Sequence, residues 1–439
     1  MATTTRRSTL RVTTAMALSV LSLLGVLSVA SVTPASADEM RDNQYWLDEY
    51  GITKAWESTK GAGVKVAVID SGVDGSHPDL KGAVVGGADV SGAGAKNGQK
   101  GIGDKPVHGT LVASLLAGRG HGGKADDSPK PDGVVGVAPE AQLLTVSTWL
   151  GSPNPAGKSI DDQIPQAVRW AVDQGAKVIN MSLSSTSPAW PESWDSAFLY
   201  AEQHDVVIIA AAGNRESGLT QVGAPATIPG VVAVAGLKKD GTSSQDSSTQ
   251  GITIAVSAPA EALVGAVPGG GYANWSGSSG AAPIVAGVAA LIRAKYPDMK
   301  AAQVINRLLL SAKHKGSAGH NSIYGYGALD ADAALNADIA PVTVSPLPSL
   351  QDWITIHRRN QPTPTVTKPA AQPPVTPAPM QPEATTPVAL PPSQLDSALP
   401  ATIVIGFGVL LLLVLLAGAA HLTVLRRRSV IERRSQDTS

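Results

Sequence analysis

The chain has 439 residues, a formal net charge of −1 and no cysteine. Its length allows two or three domains. The missing cysteines exclude disulfides, a thiol nucleophile and any cysteine-based metal site, and the near-zero charge carries no electrostatic signature of a nucleic-acid partner. Residues 1–37 read as a secretory signal: Arg6, Arg7 and Arg11 precede an apolar run between Ala15 and Ala30, and Ala35-Ser36-Ala37 is a small-residue cleavage site that predicts a mature start at Asp38.

Residues 38–60 form a short lead-in carrying Tyr45, Trp46, Leu47, Ile52, Ala55 and Trp56, expected to pack around the domain that follows. Val64 to Ile69 is a near-continuous apolar run of strand length, the pattern of a strand buried on both faces. It ends in Asp70-Ser71-Gly72-Val73, placing a carboxylate at the C-terminal edge of a strand, where open α/β sheets build their sites. Such an aspartate by itself serves as readily as a cap or turn residue. Residues 86–106 are glycine-rich and polar and read as a surface loop, as does the stretch from Arg119 to Gly133. Between them His108-Gly109-Thr110 opens the apolar segment Leu111 to Ala117.

Beyond Val134 the pattern alternates. Strands are expected at Gln142 to Val146, Lys177 to Met181 and Val206 to Ala211, with helices at about Ile160 to Gln174 and Glu192 to Glu202. Alternation of this kind implies a parallel sheet covered by helices on both faces. Two strand ends carry polar motifs, Ser182-Leu183-Ser184 and Ala211-Ala212-Gly213-Asn214. Then comes Gly277-Ser278-Ser279-Gly280-Ala281-Ala282-Pro283, followed by apolar residues to about Tyr296. Gly277 tolerates a sharp turn, and proline is accepted in the first turn of a helix, so Ser279 is expected at a helix mouth. A serine there can act as a nucleophile if a base lies beside it; otherwise the small residues are simply close packing.

Residues 339–400 are rich in proline and threonine and poor in aromatics, a composition that cannot bury a core and reads as an extended spacer, with Trp353 and Ile354 as a lone apolar spot. Residues 401–425 are a continuous apolar run of membrane-spanning length. Arg426-Arg427-Arg428 follow at once, marking residues 426–439 as a cytoplasmic basic tail and turning the preceding domain outward.

The order Asp70, His108, Ser279, each within its own small-residue motif, is the subtilisin order. With AVIDSGV, HPDL, HGT, GVAPEAQLL, VINMSLS, AAGN, GSSGAAPIVAG and YGYGALDADAAL in sequence, the chain resembles the subtilisin-family serine proteases over roughly residues 44 to 338. Its layout of signal, protease, proline-rich linker, single membrane helix and basic tail resembles more narrowly the mycosins, the membrane-anchored proteases of type VII secretion systems. The lack of cysteine departs from mycobacterial mycosins, which are expected to carry disulfides.

The resemblance implies an α/β, three-layer subtilisin-like fold with a mostly parallel central sheet over residues 61–338, plus a C-terminal transmembrane helix. It also implies a membrane-anchored, extracytoplasmic endopeptidase acting on protein or peptide substrates, with type VII secretion components as candidate partners. No cofactor is implied, and no metal ligand is assigned. Asp70, His108 and Ser279 would be the triad and Asn214 the oxyanion donor. Ser182, Leu183 and Ser184 would pair with substrate and line the pocket for the side chain before the cleaved bond. The family usually has glycine where Ser184 stands, so a narrower pocket is expected. Gly280, in place of the usual methionine, is expected to loosen the backbone after the nucleophile. An aspartate matching Asp79 binds calcium in some subtilisins, but a hydrogen-bonding role is expected here. The alternative to an enzyme is a structural component of a secretion complex in which cleavage is dispensable.

Overall fold

The computed structural model describes residues 37–121 and 132–358. The signal before Ala37, most of the 119–133 loop, the linker beyond Arg358, the apolar run 401–425 and the basic tail lie outside the described residues. Among the described residues no helix is long and apolar enough to cross a membrane.

Seven parallel strands form the central sheet. In chain order they are β1 (Lys65–Asp70), β2 (Val84–Asp89), β5 (Gln142–Ser147), β6 (Val178–Met181), β7 (Val207–Ala211), β8 (Val232–Leu237) and β9 (Ile254–Pro259). Their spatial order is β2-β5-β1-β6-β7-β8-β9. Two short antiparallel pairs lie apart: β3 (Arg119–His121) with β4 (Asp132–Val135), and β10 (Leu263–Val267) with β11 (Gly271–Trp275).

Successive side chains on a strand point to opposite faces, and the two faces have separate cores. Val66 and Val68 of β1 and Val207 and Ile209 of β7 pack into one core with α4 (His108–Ala117) and α7 (Ser278–Lys295). Ala67, Ile69, Ile208 and Ala210 face the other core, with α5 (Ile160–Asp173) and α6 (Glu192–Gln203). Strands buried on both sides need apolar residues on both faces, which is why Val66 to Ile69 of β1 and the whole of β7 read as continuous runs rather than alternations. The result is the expected three-layer arrangement.

The lead-in forms α1 (Ala37–Asp42), α2 (Trp46–Glu49) and α3 (Ile52–Ala55), none long enough to stand alone. Trp46 and Ile52 are fully buried. The Gln44 side chain acts as a surrogate strand, donating to Val135 O at 2.7 Å and accepting from Val135 N at 2.9 Å. Trp56 Nε1 donates to Val137 O, and Lys54 meets Asp332 of α9 (Ala331–Asn336) at 2.6 Å. Specific contacts thus tie the lead-in to β4, to the turn after it and to α9.

The segment after Ala337 behaves differently from an extended spacer as far as Arg358. It carries α10 (Leu350–His357), with Leu350 and Ile354 buried in the α6 core. Trp353, the apolar spot seen in the sequence, packs on Trp190 with ring centroids 4.4 Å apart. The Arg358 guanidinium lies over both rings and bonds Asp195 of α6 at 2.5 Å. Linker composition gave no sign of this, because the anchoring surface is supplied by α6, far back in the sequence. The amphipathic run Leu350, Trp353, Ile354 has the helical spacing that marks it.

Asp79 is fully buried and accepts from Val134 N at 2.8 Å and from His121 Nδ1 at 2.5 Å. It ties the turn after β1 to the β3–β4 pair, the hydrogen-bonding role expected of it.

Candidate active site

The parallel, adjacent strands β1, β6 and β7 all end at one edge of the sheet, with Val68 opposite Asn180 and Asn180 opposite Ile209. That register brings Asp70, the Ser182–Ser184 segment and Asn214 to the same edge. Helices α4 and α7 start from it too, supplying His108 and Ser279 at or near their first residues. All of these residues line one open cleft of about 940 Å³.

Asp70 is completely buried. His108 Nδ1 lies 2.8 Å from its Oδ1 and 3.0 Å from its Oδ2, and Ser71 N donates to Oδ1 at 2.7 Å. Burying a carboxylate is costly unless it is paired and hydrogen-bonded, and both conditions are met here. The pair is held by backbone contact: a Cβ on Gly109 would lie 2.2 Å from Gly72 O, so only glycine lets α4 start this close to the end of β1. The His108 ring packs edge-on to Trp275 at 5.9 Å, so one ring nitrogen faces Asp70 while the other is left for the cleft.

Gly277, with φ +148° and ψ 151°, occupies a region essentially restricted to glycine and delivers the chain into α7. The helix starts at Ser278, so Pro283 falls in its second turn rather than its first. The missing proline N–H would have paired with Ser279 O. Ser182 Oγ donates to that oxygen instead, at 2.8 Å, and itself accepts from Asn180 Nδ2 at 3.0 Å. The proline thereby frees a carbonyl through which the candidate nucleophile is bonded to the candidate substrate-binding segment. Ser279 Oγ donates back to Ser182 O at 3.2 Å. Among the described residues, no hydrogen bond joins Ser279 Oγ to His108.

Asn214 Oδ1 accepts from both Ser278 N and Ser278 Oγ at 2.8 Å, and Ser278 Oγ accepts from Gly213 N at 3.0 Å. With its oxygen doubly engaged, Asn214 has only Nδ2 to offer the cleft. Ser279 N is one of the donors in the first turn of α7 that lack an intrahelical partner, and the positive end of this 18-residue helix lies at the same point. Asn214 and Ser279, at the start of this helix, thus line the same cleft, and a helix N-terminus is a setting that favours a negative oxygen.

Gly280 has a different basis from the loosening expected of it. It is buried inside α7, where a Cβ would lie 2.2 Å from Leu263 Cδ1 and 3.3 Å from Trp275. Its smallness admits Leu263 of β10 against the helix, so the position is tightly packed.

Two contributors to the site gave no signal in the sequence. Leu219 follows Gly218 in an irregular loop and enters the cleft beside Gly213. Trp275 reaches His108 from β11, more than 160 residues away in sequence. Neither stands in a motif; both arrive through tertiary folding.

Residues 61–327 match the Subtilase family. Fervidolysin of Fervidobacterium pennivorans is 33% identical over 359 residues, 75% of this chain and 48% of that protein, so the chain spans about half the length of this larger relative. Mycosin-1 of Mycobacterium tuberculosis is 34% identical over 347 residues, covering 67% of this chain and 74% of that protein. The crystal structure of MycP1 from Mycobacterium smegmatis superposes with a TM-score of 0.54 at 31% identity, over 69% of this chain and 89% of that one. With the fold, the ordered motifs and the match over more than half its length, the chain belongs to the subtilase family of serine peptidases and is similar to the mycosins.

Proposed function

We propose that this protein is a membrane-anchored extracytoplasmic serine endopeptidase that acts on substrates or components of a type VII secretion system. The observation carrying the catalytic part is the bidentate pairing of His108 Nδ1 with the fully buried Asp70 in the cleft that also holds Ser279. In this reading Ser279 Oγ turns from Ser182 O toward His108 Nε2, gives up its proton and attacks the substrate carbonyl carbon. His108, oriented and charge-stabilised by Asp70, passes that proton to the leaving amine. Asn214 Nδ2 and Ser279 N hold the oxyanion. Water, deprotonated by His108, then hydrolyses the acyl-enzyme and regenerates Ser279. An extended peptide would add to the edge offered by Ser182–Ser184.

Anchoring and orientation rest on the apolar run 401–425 and the arginines after it. The secretion role rests on similarity to mycosins, including a solved MycP3 protease from the type VII (ESX-3) secretion system at 31% identity. The test is labelling of the full chain in detergent with a fluorophosphonate probe, beside Ser279→Ala. Labelling that requires Ser279 is expected; a folded protein that never labels, or a variant that labels equally, refutes the assignment. The resting Ser279–Ser182 hydrogen bond favours a second reading, a scaffold whose serine is idle. Full rescue of secretion in a null strain by Ser279→Ala would establish that reading, and loss of secretion would reject it.

A further inference from the structure

The slot that would receive the side chain before the cleaved bond is taken as the part of the cleft between the Ser182–Ser184 segment and the Ala211–Gly213 strand end, where Leu219 and Ala224 also line it. Two side chains of this protein fill it. The Ser184 hydroxyl points into the slot: a Cβ built on Gly223 would lie 2.7 Å from Ser184 Oγ, and one built on Gly213 would lie 3.1 Å from it. The Leu219 side chain enters from the opposite loop, with Cδ1 2.7 Å from the same position on Gly213. Gly213 itself has φ +103°, a backbone conformation that disfavours any side chain at this point of the wall. Both glycines are buried, so the two intruding groups occupy space that bare glycine surfaces would leave open.

Ser184 is also poorly tethered. Its only hydrogen bond among the described residues runs to Ser185 O at 3.4 Å, at the long end of the useful range. The hydroxyl is therefore free to meet a small polar group, and its Cβ stays beside Gly213, 3.5 Å from the position a side chain there would take.

We propose that Ser184 and Leu219 together are specificity determinants that restrict the residue before the cleaved bond to glycine, alanine or serine. This rests on the serine-peptidase reading of the same cleft. Large aromatic or branched residues are excluded by occupied volume, and alanine or serine fits against the Leu219 methyl and the Ser184 hydroxyl. Close packing makes such exclusion steep, since a filled slot can accept more atoms only by moving backbone.

The experiment uses the full chain in detergent and two peptidyl diphenylphosphonates of identical sequence, differing only in alanine or phenylalanine next to the phosphorus. These probes react with the serine itself, so labelling rates compare the slot directly. The expected result is labelling by the alanine probe faster by at least the ~10–200-fold that one misfitted group commands in a shaped pocket. Ser184→Gly with Leu219→Ala should bring the phenylalanine probe to within tenfold of the alanine probe (about 1.4 kcal/mol). Ser184→Gly alone, in case the double variant fails to fold, should narrow the gap in the same direction. In the opposite sense, Ser184→Val should slow the alanine probe more than a glycine probe. Equal rates of the two probes on the unaltered protein overturn the specificity proposal while leaving the peptidase reading intact. Absence of any Ser279-dependent fluorophosphonate labelling refutes the peptidase reading and this proposal with it.

Discussion

Replacing Asp70 by asparagine keeps the shape of the side chain and changes one hydrogen-bond valence. Ser71 N donates to Oδ1 at 2.7 Å, so that atom must remain an oxygen. The new amide nitrogen is therefore forced into the Oδ2 position, 3.0 Å from His108 Nδ1. There it donates to Nδ1 in competition with Oδ1, still an acceptor 2.8 Å from Nδ1, and so raises the share of the tautomer with its proton on Nε2. That is the nitrogen that has to receive the Ser279 proton, so in that share the base is blocked although every heavy atom stays in place. The same valence error in a chymotrypsin-type triad lowers turnover by about 10⁴, or ~5.5 kcal/mol of transition-state stabilisation. Because Asp70 is fully buried, no water can replace the lost negative charge and the lost Oδ2 acceptor, and a loss of up to about this size is expected here. The assay is the second-order rate of fluorophosphonate labelling of the full chain, with thermal melting as a check that the fold survives. A labelling rate within about tenfold of the unaltered protein, in a variant that melts normally, would refute the proposed role of the Asp70–His108 pair.

Three further outcomes follow from the same structure. Asn214→Ala removes the only donor this side chain offers the cleft, and should lower peptide turnover by about 10²–10³, the loss typical of one oxyanion donor in a subtilisin. An unchanged turnover would reassign Asn214 to bracing Ser278 alone. Gly280→Ala pushes a methyl to 2.2 Å from Leu263 Cδ1 and should destabilise the domain by about 1–3 kcal/mol in denaturant unfolding; an unchanged midpoint would contradict the close packing of α7 on β10. Asp332 is held below the ordinary carboxylate range by hydrogen bonds from Lys54 first and Asn336 next. A carboxylate lowered in the folded state adds stability above its unfolded pKa, and that stability is lost as pH falls through the folded value. Asp332→Asn should therefore reduce the fall in Tm between about pH 6 and about pH 3, and an identical fall would show that this link between lead-in and α9 is energetically silent.

Much of this protein is written in short sequence patterns. The central runs of β1 (Val66 to Ile69) and β7 are apolar at every position because both faces of a parallel sheet are buried, and this is local information that marks the fold class. The AVIDSGV, HGT, AAGN and GSSGAAP stretches announce themselves because strand ends and helix starts need particular small residues wherever they occur. The family and the candidate residues Asp70, His108, Asn214 and Ser279 were accessible on that basis. Ser184 could be flagged as a side chain where glycine is usual, but not where its hydroxyl would point.

What only the tertiary structure decided depends on contacts between distant segments. Pro283 gained its meaning from Ser182, which takes up the carbonyl the proline leaves free, across 97 residues of chain. Gly280 reads as flexibility in the sequence and is close packing in the fold, because Leu263 lies against it. Trp353 looked like an isolated apolar spot in a spacer until Trp190, just before α6, and Asp195 within it supplied its anchor. Leu219 carries no pattern at all, and its place beside Gly213 exists only once β7 and its following loop are folded. Periodicity and turn chemistry act within a few residues and can be read locally. Pocket shape and packing are set by atoms brought together across the whole chain, and no local pattern encodes them.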